Sequence, residues 1–241
     1  MIRITELRLP LDHPPEALAA AIVRRLDLRA DALRGFTVYK RSHDARKKSA
    51  LTFIYTVDVA VDVDCEAALL ARFADDPRIG RTPDLDYHFV TQAVARPKLR
   101  PIVVGFGPAG IFAALVLAQM GFAPIVVERG KPVRERTKDT WGLWRNKVLD
   151  PESNVQFGEG GAGTFSDGKL YSQVKDPRHL GRKVLTEFVK AGAPAEILYV
   201  AKPHIGTFRL VSMVEHMRRE IIALGGEIRF QSRVTGLSIE H

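Results

Sequence analysis

A glycine-rich turn joins two apolar runs near the middle of the chain. The six residues that follow the run 102–104 are Gly105, Phe106, Gly107, Pro108, Ala109 and Gly110. In this GxGxxG pattern the first glycine allows a tight turn, and the second lets a pyrophosphate approach the backbone. The third glycine lets the following helix pack closely on the strand. The N–H groups at the start of such a helix attract phosphate oxygens, so the pattern predicts a dinucleotide-binding turn.

An acidic residue ends the second apolar run. Glu128 follows the residues 124–127, at the spacing of about 20 residues after Gly105 that dinucleotide-binding units show. Its carboxylate can accept hydrogen bonds from ribose hydroxyls and disfavours a 2′-phosphate there. Residues 101–127 carry no charge, but glycines and prolines interrupt them. This composition predicts strand, helix and strand of a parallel sheet rather than a membrane span.

A second glycine-rich segment, FGEGGAGTFSDGKL, occupies residues 157–170. The backbone N–H groups of such a loop can lie against a pyrophosphate or a flat ring system. We expect its cofactor contacts to come from Gly160, Gly161, Gly163, Ser166, Asp167 and Gly168. Lys169 and His204 are the candidates for a catalytic role. The segment also matches GxxxxGK, but Leu170 has no hydroxyl for Mg²⁺ and no buried strand precedes it, which disfavours a nucleoside-triphosphate site.

The pattern of the first 95 residues predicts a small α+β domain in front of the dinucleotide-binding unit. Alternating apolar residues in LTFIYTVDVAVDV indicate a half-buried antiparallel strand. The order βαββαβ predicts a ferredoxin-like unit. Its strands are expected near 2–9, 36–41, 51–63 and 87–94. Residues 96–100 are expected to form a linker, and residues 101–241 the second domain.

The charge and the cysteine content limit the classes of function. The chain of 241 residues carries a net charge of +8, with a basic segment KRSHDARKK at 40–48. Nucleic acid is therefore an open partner, but no aromatic residues interleave with these charges, and a solvated loop is favoured. The single cysteine, Cys65, excludes a disulfide within the chain and a cysteine-based zinc site. We expect no metal site, no membrane segment and, because no signal peptide is present, a cytoplasmic location.

Four segments together resemble a known family. They are GFGPAG, ERG with Arg136 downstream, SNVQFGEGGAGTFSDGKL and KPHIGT. They are similar to a family of bacterial FAD-dependent dehydrogenases, described mostly as uncharacterised flavoproteins, and the resemblance covers nearly the whole chain. It implies a Rossmann-like FAD-binding domain, incomplete here, that holds FAD through Gly105, Gly107, Gly110 and Glu128. It also implies that the 158–168 loop lies near the flavin or its phosphates.

The resemblance carries further expectations. Val234 is expected near the adenine, and Arg129 and Arg136 are expected to balance phosphate charge. The activity implied is hydride transfer through flavin N5 to or from an unknown small-molecule substrate, with NAD(P)H as a candidate electron donor or acceptor. Because members of the family are longer, we expect this chain to be the N-terminal part of a longer flavoprotein.

Two other functions stay open at this point. One is an RNA-binding protein with a structural or regulatory FAD, which would bind through Lys40, Arg41, Arg46, Lys47 and Lys48. The other is an NAD-binding dehydrogenase without flavin, because the glycine pattern alone does not separate the two dinucleotides.

Overall fold

The structure is a computed structural model that describes residues 1–46, 50–95, 97–170, 172 and 174–239. Its contacts divide the chain into two compact units. The first unit is Met1–Leu85 with Glu196–Lys202, and the second is Asp86–Ala195 with Pro203–His241. The expected first domain of 1–95 differs from the first unit in two places. Residues 86–95 group with the second unit, and the short segment 196–202 groups with the first.

The first unit is an antiparallel sheet with two helices. Its elements are β1 Ile2–Pro10, α1 Ala17–Leu26, β2 Gly35–Asp44, β3 Thr52–Ala60, α2 Val63–Arg72 and β4 Ile79–Arg81. The strands pair in the order β2-β3-β1-β4, and every pairing is antiparallel. The predicted order βαββαβ is confirmed. The strand expected at 87–94 is wrong, because these residues, all described, form no strand and β4 ends the sheet instead.

The alternation in β1 and β3 produces the core of the first unit. Ile2 and Ile4 lie opposite Val59 and Val57 on one face of the sheet, and all four are fully buried. The apolar stripe of α1 covers this face with Leu18, Ile22 and Leu26, which are also buried. The sheet therefore turns its apolar face to α1, as expected for a half-buried antiparallel sheet.

The second unit contains a parallel sheet. Its elements are β5 Ile102–Val104, α3 Pro108–Gln119, β6 Ile125–Val127, α4 Val133–Asn146, α5 Leu180–Lys190, α6 Thr207–Ala223 and β7 Glu227–Arg229. The strand order is β5-β6-β7, and both pairings are parallel. The protein is thus mixed α/β, with one antiparallel and one parallel sheet. In the described part of the chain, none of the helices has the length and apolar character needed to cross a membrane.

Candidate functional site

The turn after β5 has the geometry that its glycines predict. Gly105 has φ +90°, a conformation that favours glycine, and its N–H donates to the carbonyl of Val127 at 2.8 Å. A Cβ at position 110 would lie 1.9 Å from the carbonyl oxygen of Gly105, so only glycine fits there. Position 107 is different. Its φ is −76°, and a Cβ would meet only the Cα of Gly161, at 3.8 Å.

Glu128 fixes the end of β6 to this turn. The residue is 4% exposed, and its carboxylate accepts hydrogen bonds from the N–H of Phe106 at 2.7 Å and the N–H of Gly130 at 2.8 Å. Each carboxylate oxygen has a second lone pair, so both can accept one further hydrogen bond. The side chain therefore supports the backbone of the turn and keeps acceptor capacity on the same carboxylate.

The second glycine-rich loop packs directly on the first turn. The N–H of Gly160 donates to the carbonyl of Phe106 at 2.9 Å. A Cβ at position 161 would lie 3.0 Å from Cδ of Pro108, and a Cβ at position 130 would lie 2.5 Å from the Cα of Gly158. These glycines are required because protein backbones meet there. This close packing within the protein accounts for part of the glycine content that sequence reasoning assigned to a cofactor.

Arg136 occupies a different place from the one expected. The side chain is fully buried, and its guanidinium donates to four backbone carbonyls, two within the loop and two just before it. Nε donates to Asn154 at 2.7 Å, Nη1 to Glu159 and Gly161 at 2.7 and 2.8 Å, and Nη2 to Val155 at 2.6 Å. Burial lowers the pKa of Arg136 to about 10. Its donors therefore hold the loop from within, and the structure gives it this role in place of balancing phosphate charge.

Glu159 joins the same loop to two helices. One oxygen of this fully buried carboxylate accepts from the N–H of Val133, at the start of α4, at 2.7 Å and from the guanidinium of Arg218 on α6 at 2.8 Å. Burial raises the pKa of Glu159 above its ordinary value. The loop is thus anchored by a buried acid as well as by a buried arginine.

A cleft of about 440 Å³ opens beside these elements. Six of the predicted cofactor residues line it, namely Gly105, Gly107, Glu128, Arg129, Gly161 and Val234. Gln156, Phe157, Ser232 and Arg233 also line the cleft and were not among the predicted cofactor contacts. Gln156 and Phe157 belong to the quoted segment SNVQFGEGGAGTFSDGKL, and Ser232 and Arg233 directly precede Val234. The parallel order of β5, β6 and β7 brings the ends of three chain segments to this one cleft.

Two arginines are held at the cleft by one acid. The guanidinium of Arg129 lies 3.8 Å from the ring centre of Phe157, and its Nε donates to Glu152 at 2.8 Å. Arg233 donates to the other oxygen of Glu152 at 3.0 Å. The Arg129 hydrogen bond, together with the nearby charges, holds the pKa of Glu152 below its ordinary value. The cleft therefore presents positive charge in fixed positions, with a neighbouring acid that offsets part of it.

The remaining predicted residues lie elsewhere in the second unit. Ala109 is exposed in the first turn of α3, and Gly110 packs against Gly105. A separate apolar pocket is lined by Pro108, Gly160, Gly163, Ser166, Gly168 and Lys169.

Lys169 and His204 are brought together by an isolated antiparallel bridge. Next to it, the N–H of Leu170 donates to the carbonyl of Pro203 at 2.9 Å. Both side chains are exposed, and Nζ of Lys169 lies 3.3 Å from Asp167.

The basic segment of the first unit is partly neutralised by one acid. Asp44 accepts from Arg8 and from Arg46, each at 2.6 Å, and the Arg46 hydrogen bond holds the pKa of Asp44 well below its usual range. The guanidinium of Arg41 stacks 5.0 Å from the ring centre of Phe53. The predicted contacts of Lys47 and Lys48 lie outside the described residues.

Two relationships to known proteins are found. Residues 1–60 match a family model described as a domain of unknown function (DUF8436). An uncharacterized protein of Clostridium beijerinckii (strain ATCC 51743 / NCIMB 8052) is 44% identical over 233 residues. These residues make up 97% of this chain and 43% of that protein, so this chain spans less than half the length of its relative. The similarity extends through both units.

Proposed function

We propose that this chain is the FAD-binding part of a cytoplasmic oxidoreductase and that the cleft holds the ADP portion of FAD. One observation carries the proposal. The glycine-rich turn after β5, Glu128 at the end of β6 and the second glycine-rich loop all line the same cleft. On this proposal the second unit is the first part of a Rossmann-like domain, and the first unit is ferredoxin-like.

The residues at the cleft are suited to an adenosine diphosphate group. Gly107 lacks a side chain that would obstruct a pyrophosphate, and the start of α3 offers N–H groups to it. The carboxylate of Glu128 retains lone pairs for the ribose hydroxyls. Arg129 and Arg233 add positive charge to the cleft that holds the phosphates. Val234 lines the same cleft, where we expect the adenine.

Bound FAD would supply hydride transfer, with NAD(P)H as the electron donor or acceptor we favour. The chain's own contribution is to bind and orient the cofactor through the turn, Glu128 and the loop. Arg136 and Glu159 act indirectly, because they fix the backbone of that loop. Because the matched region covers 43% of the relative, we propose cofactor binding for this chain and propose hydride transfer only as an activity of the whole protein.

The test is a titration of the purified chain with FAD, in which quenching of the flavin fluorescence reports binding. ADP is expected to displace FAD, whereas ADP with a 2′-phosphate on its ribose is expected to compete poorly because Glu128 repels the added charge. Saturable binding of NAD without any of FAD would support a dehydrogenase without flavin instead. Binding of neither dinucleotide would contradict the proposal. Salt-sensitive binding of RNA that is lost on replacing Lys40, Arg41, Arg46, Lys47 and Lys48 would favour the RNA-binding alternative instead.

A further inference from the structure

Large apolar side chains are exposed at the end of α4 and in the residues that follow it. Trp141 and Trp144 are 45% and 56% exposed, and Val148 and Leu149 are 65% and 58% exposed. The two tryptophan rings pack edge to face, with their centres 6.0 Å apart. The chain stays beside the helix end, because Val148 donates its N–H to the carbonyl of Gly142 at 3.3 Å. Contiguous exposed apolar side chains mark an interaction site.

Positive charge is interleaved with the tryptophans. Lys138, Trp141 and Arg145 have the spacing i, i+3 and i+7, so they lie along one side of α4. The Arg145 guanidinium lies 4.2 Å from the ring centre of Trp141. Lys138, Arg145 and Lys147 are exposed, and none of them forms an ion pair with any residue that the structure describes. The α4 surface, as we name it, consists of Lys138, Trp141, Trp144 and Arg145 with residues 147–149.

The acids near this surface do not neutralise it. Each residue turns a helix by about 100°, so Glu135 and Asp139 lie about 120–180° around α4 from the two tryptophans. Asp139 and Asp150 both pair with Lys131, at 2.9 and 3.0 Å. The chain as a whole carries a net charge of +8. The α4 surface is therefore complementary to an anionic partner.

The combination of side chains favours a lipid surface over a protein partner. Lysine is depleted in protein interfaces, and charged residues are excluded from their centres. Anionic lipids instead attract lysine and arginine, and tryptophan prefers the level of the lipid headgroups. Helices that lie in this interface carry basic residues together with tryptophan, phenylalanine or leucine.

We propose that the α4 surface binds the surface of an anionic phospholipid membrane. The tryptophans and the apolar residues after the helix enter the headgroup region, and the three basic side chains contact lipid phosphates. The contact is peripheral, and no part of the chain crosses the bilayer. This inference does not rest on the proposed function, because no residue of the α4 surface lines the dinucleotide cleft.

The experiment measures sedimentation of the purified 241-residue chain with vesicles. One set contains phosphatidylglycerol and phosphatidylcholine, and the other contains phosphatidylcholine alone. The chain has two tryptophans, Trp141 and Trp144, so its tryptophan fluorescence reports on the α4 surface directly. We expect binding to the mixed vesicles with a shift of the emission to shorter wavelength, and much weaker binding to the neutral vesicles. High salt should weaken the binding, because exposed charges are screened.

Two variants with matched controls locate the contact. Trp141→Ala is expected to weaken vesicle binding by about tenfold, because it removes exposed apolar area. Its control is Ile222→Ala on α6, which removes an exposed apolar side chain outside the α4 surface and should leave binding unchanged. Lys138→Gln is expected to weaken binding by about fivefold. Its control, Arg24→Gln, removes an exposed charge on α1 and should have little effect.

Four results would overturn the inference. The first is no binding of the wild-type chain to the mixed vesicles. The second is binding that Trp141→Ala and Lys138→Gln leave unchanged, or that produces no shift of the emission. The third is dimerisation without vesicle binding that Trp141→Ala abolishes, which would assign the surface to a second copy of the chain. The fourth is a longer protein containing this chain that binds no such vesicles, because its additional residues would then cover the surface.

Discussion

Replacing Gly107 by alanine tests separately whether the fold and whether the bound cofactor requires glycine at this position. The φ of −76° and ψ of −173° at this position suit any residue, and the new Cβ would lie 3.8 Å from the Cα of Gly161, an ordinary contact. The folded protein can therefore accept the methyl group. Because alanine restricts the unfolded chain, the free energy of unfolding is expected to rise by about 0.4–1 kcal/mol.

The affinity for FAD is expected to fall in the same variant. The added methyl group projects from the backbone position where we place the pyrophosphate. Overpacking of this kind costs about 1–3 kcal/mol, which corresponds to a loss of FAD affinity of roughly 5- to 150-fold.

The assay combines an FAD titration with a urea unfolding curve on the same preparation of Gly107→Ala. Unchanged FAD affinity in a stably folded variant would refute the placement of the pyrophosphate. A fall in the free energy of unfolding would refute the claim that the turn accepts a Cβ at position 107.

Three further predictions concern the structure around the cleft. Gly110→Ala is expected to lower the free energy of unfolding by about 1–3 kcal/mol in a urea titration, because its Cβ would overlap the carbonyl oxygen of Gly105. The control Gly142→Ala should instead stabilise α4, and equal stability of the two variants would contradict the prediction. Arg136→Met should lower the free energy of unfolding by about 3–5 kcal/mol, since four buried carbonyls lose their donors, and a loss below about 1 kcal/mol would show that water replaces them. Burial raises the pKa of Glu159 above its ordinary 4.5, so this carboxyl ionises at lower pH in the unfolded chain than in the folded one. As pH rises above about 4.5, the wild type should therefore lose stability relative to Glu159→Gln. A constant difference in unfolding free energy between the two from about pH 4 to pH 7 would contradict this.

Elements with a strong hydrophobic period were predictable from the sequence. The stripe Leu18, Ile22 and Leu26 predicted α1, and the alternation in LTFIYTVDVAVDV predicted the half-buried antiparallel strand that the structure shows as β3. The first half of the candidate site was predictable for a similar reason, because the glycine spacing marks a turn that needs a positive φ at Gly105 and space for close packing at Gly110.

The misplaced strand has a physical cause. Tyr87 and Phe89 alternate as strand residues do, but in the structure their rings pack edge to face at 5.1 Å, with Nζ of Lys183 about 5 Å from both ring centres. The last strand of the first unit, β4, has only three residues, which is too short to show an alternating pattern. Local sequence does not reveal such contacts between distant segments.

The role of Arg136 was hidden for a related reason. An arginine in a polar segment normally faces solvent, and nothing in its neighbours predicts that backbone carbonyls will surround it. Glu159 was missed in the same way, since its partners Val133 and Arg218 come from two helices distant in the chain. Phe157 begins the glycine-rich segment and Arg233 directly precedes Val234, but only the folded chain brings the two residues to the same cleft.

The central claim is tested most directly by the visible spectrum of the purified 241-residue chain after incubation with FAD and removal of the unbound cofactor. The account predicts flavin absorption bands and release of about one equivalent of FAD on heat denaturation, because the cofactor binds the folded state alone. A colourless chain that takes up no FAD would contradict it, and the glycine-rich turn would then serve another ligand or packing alone.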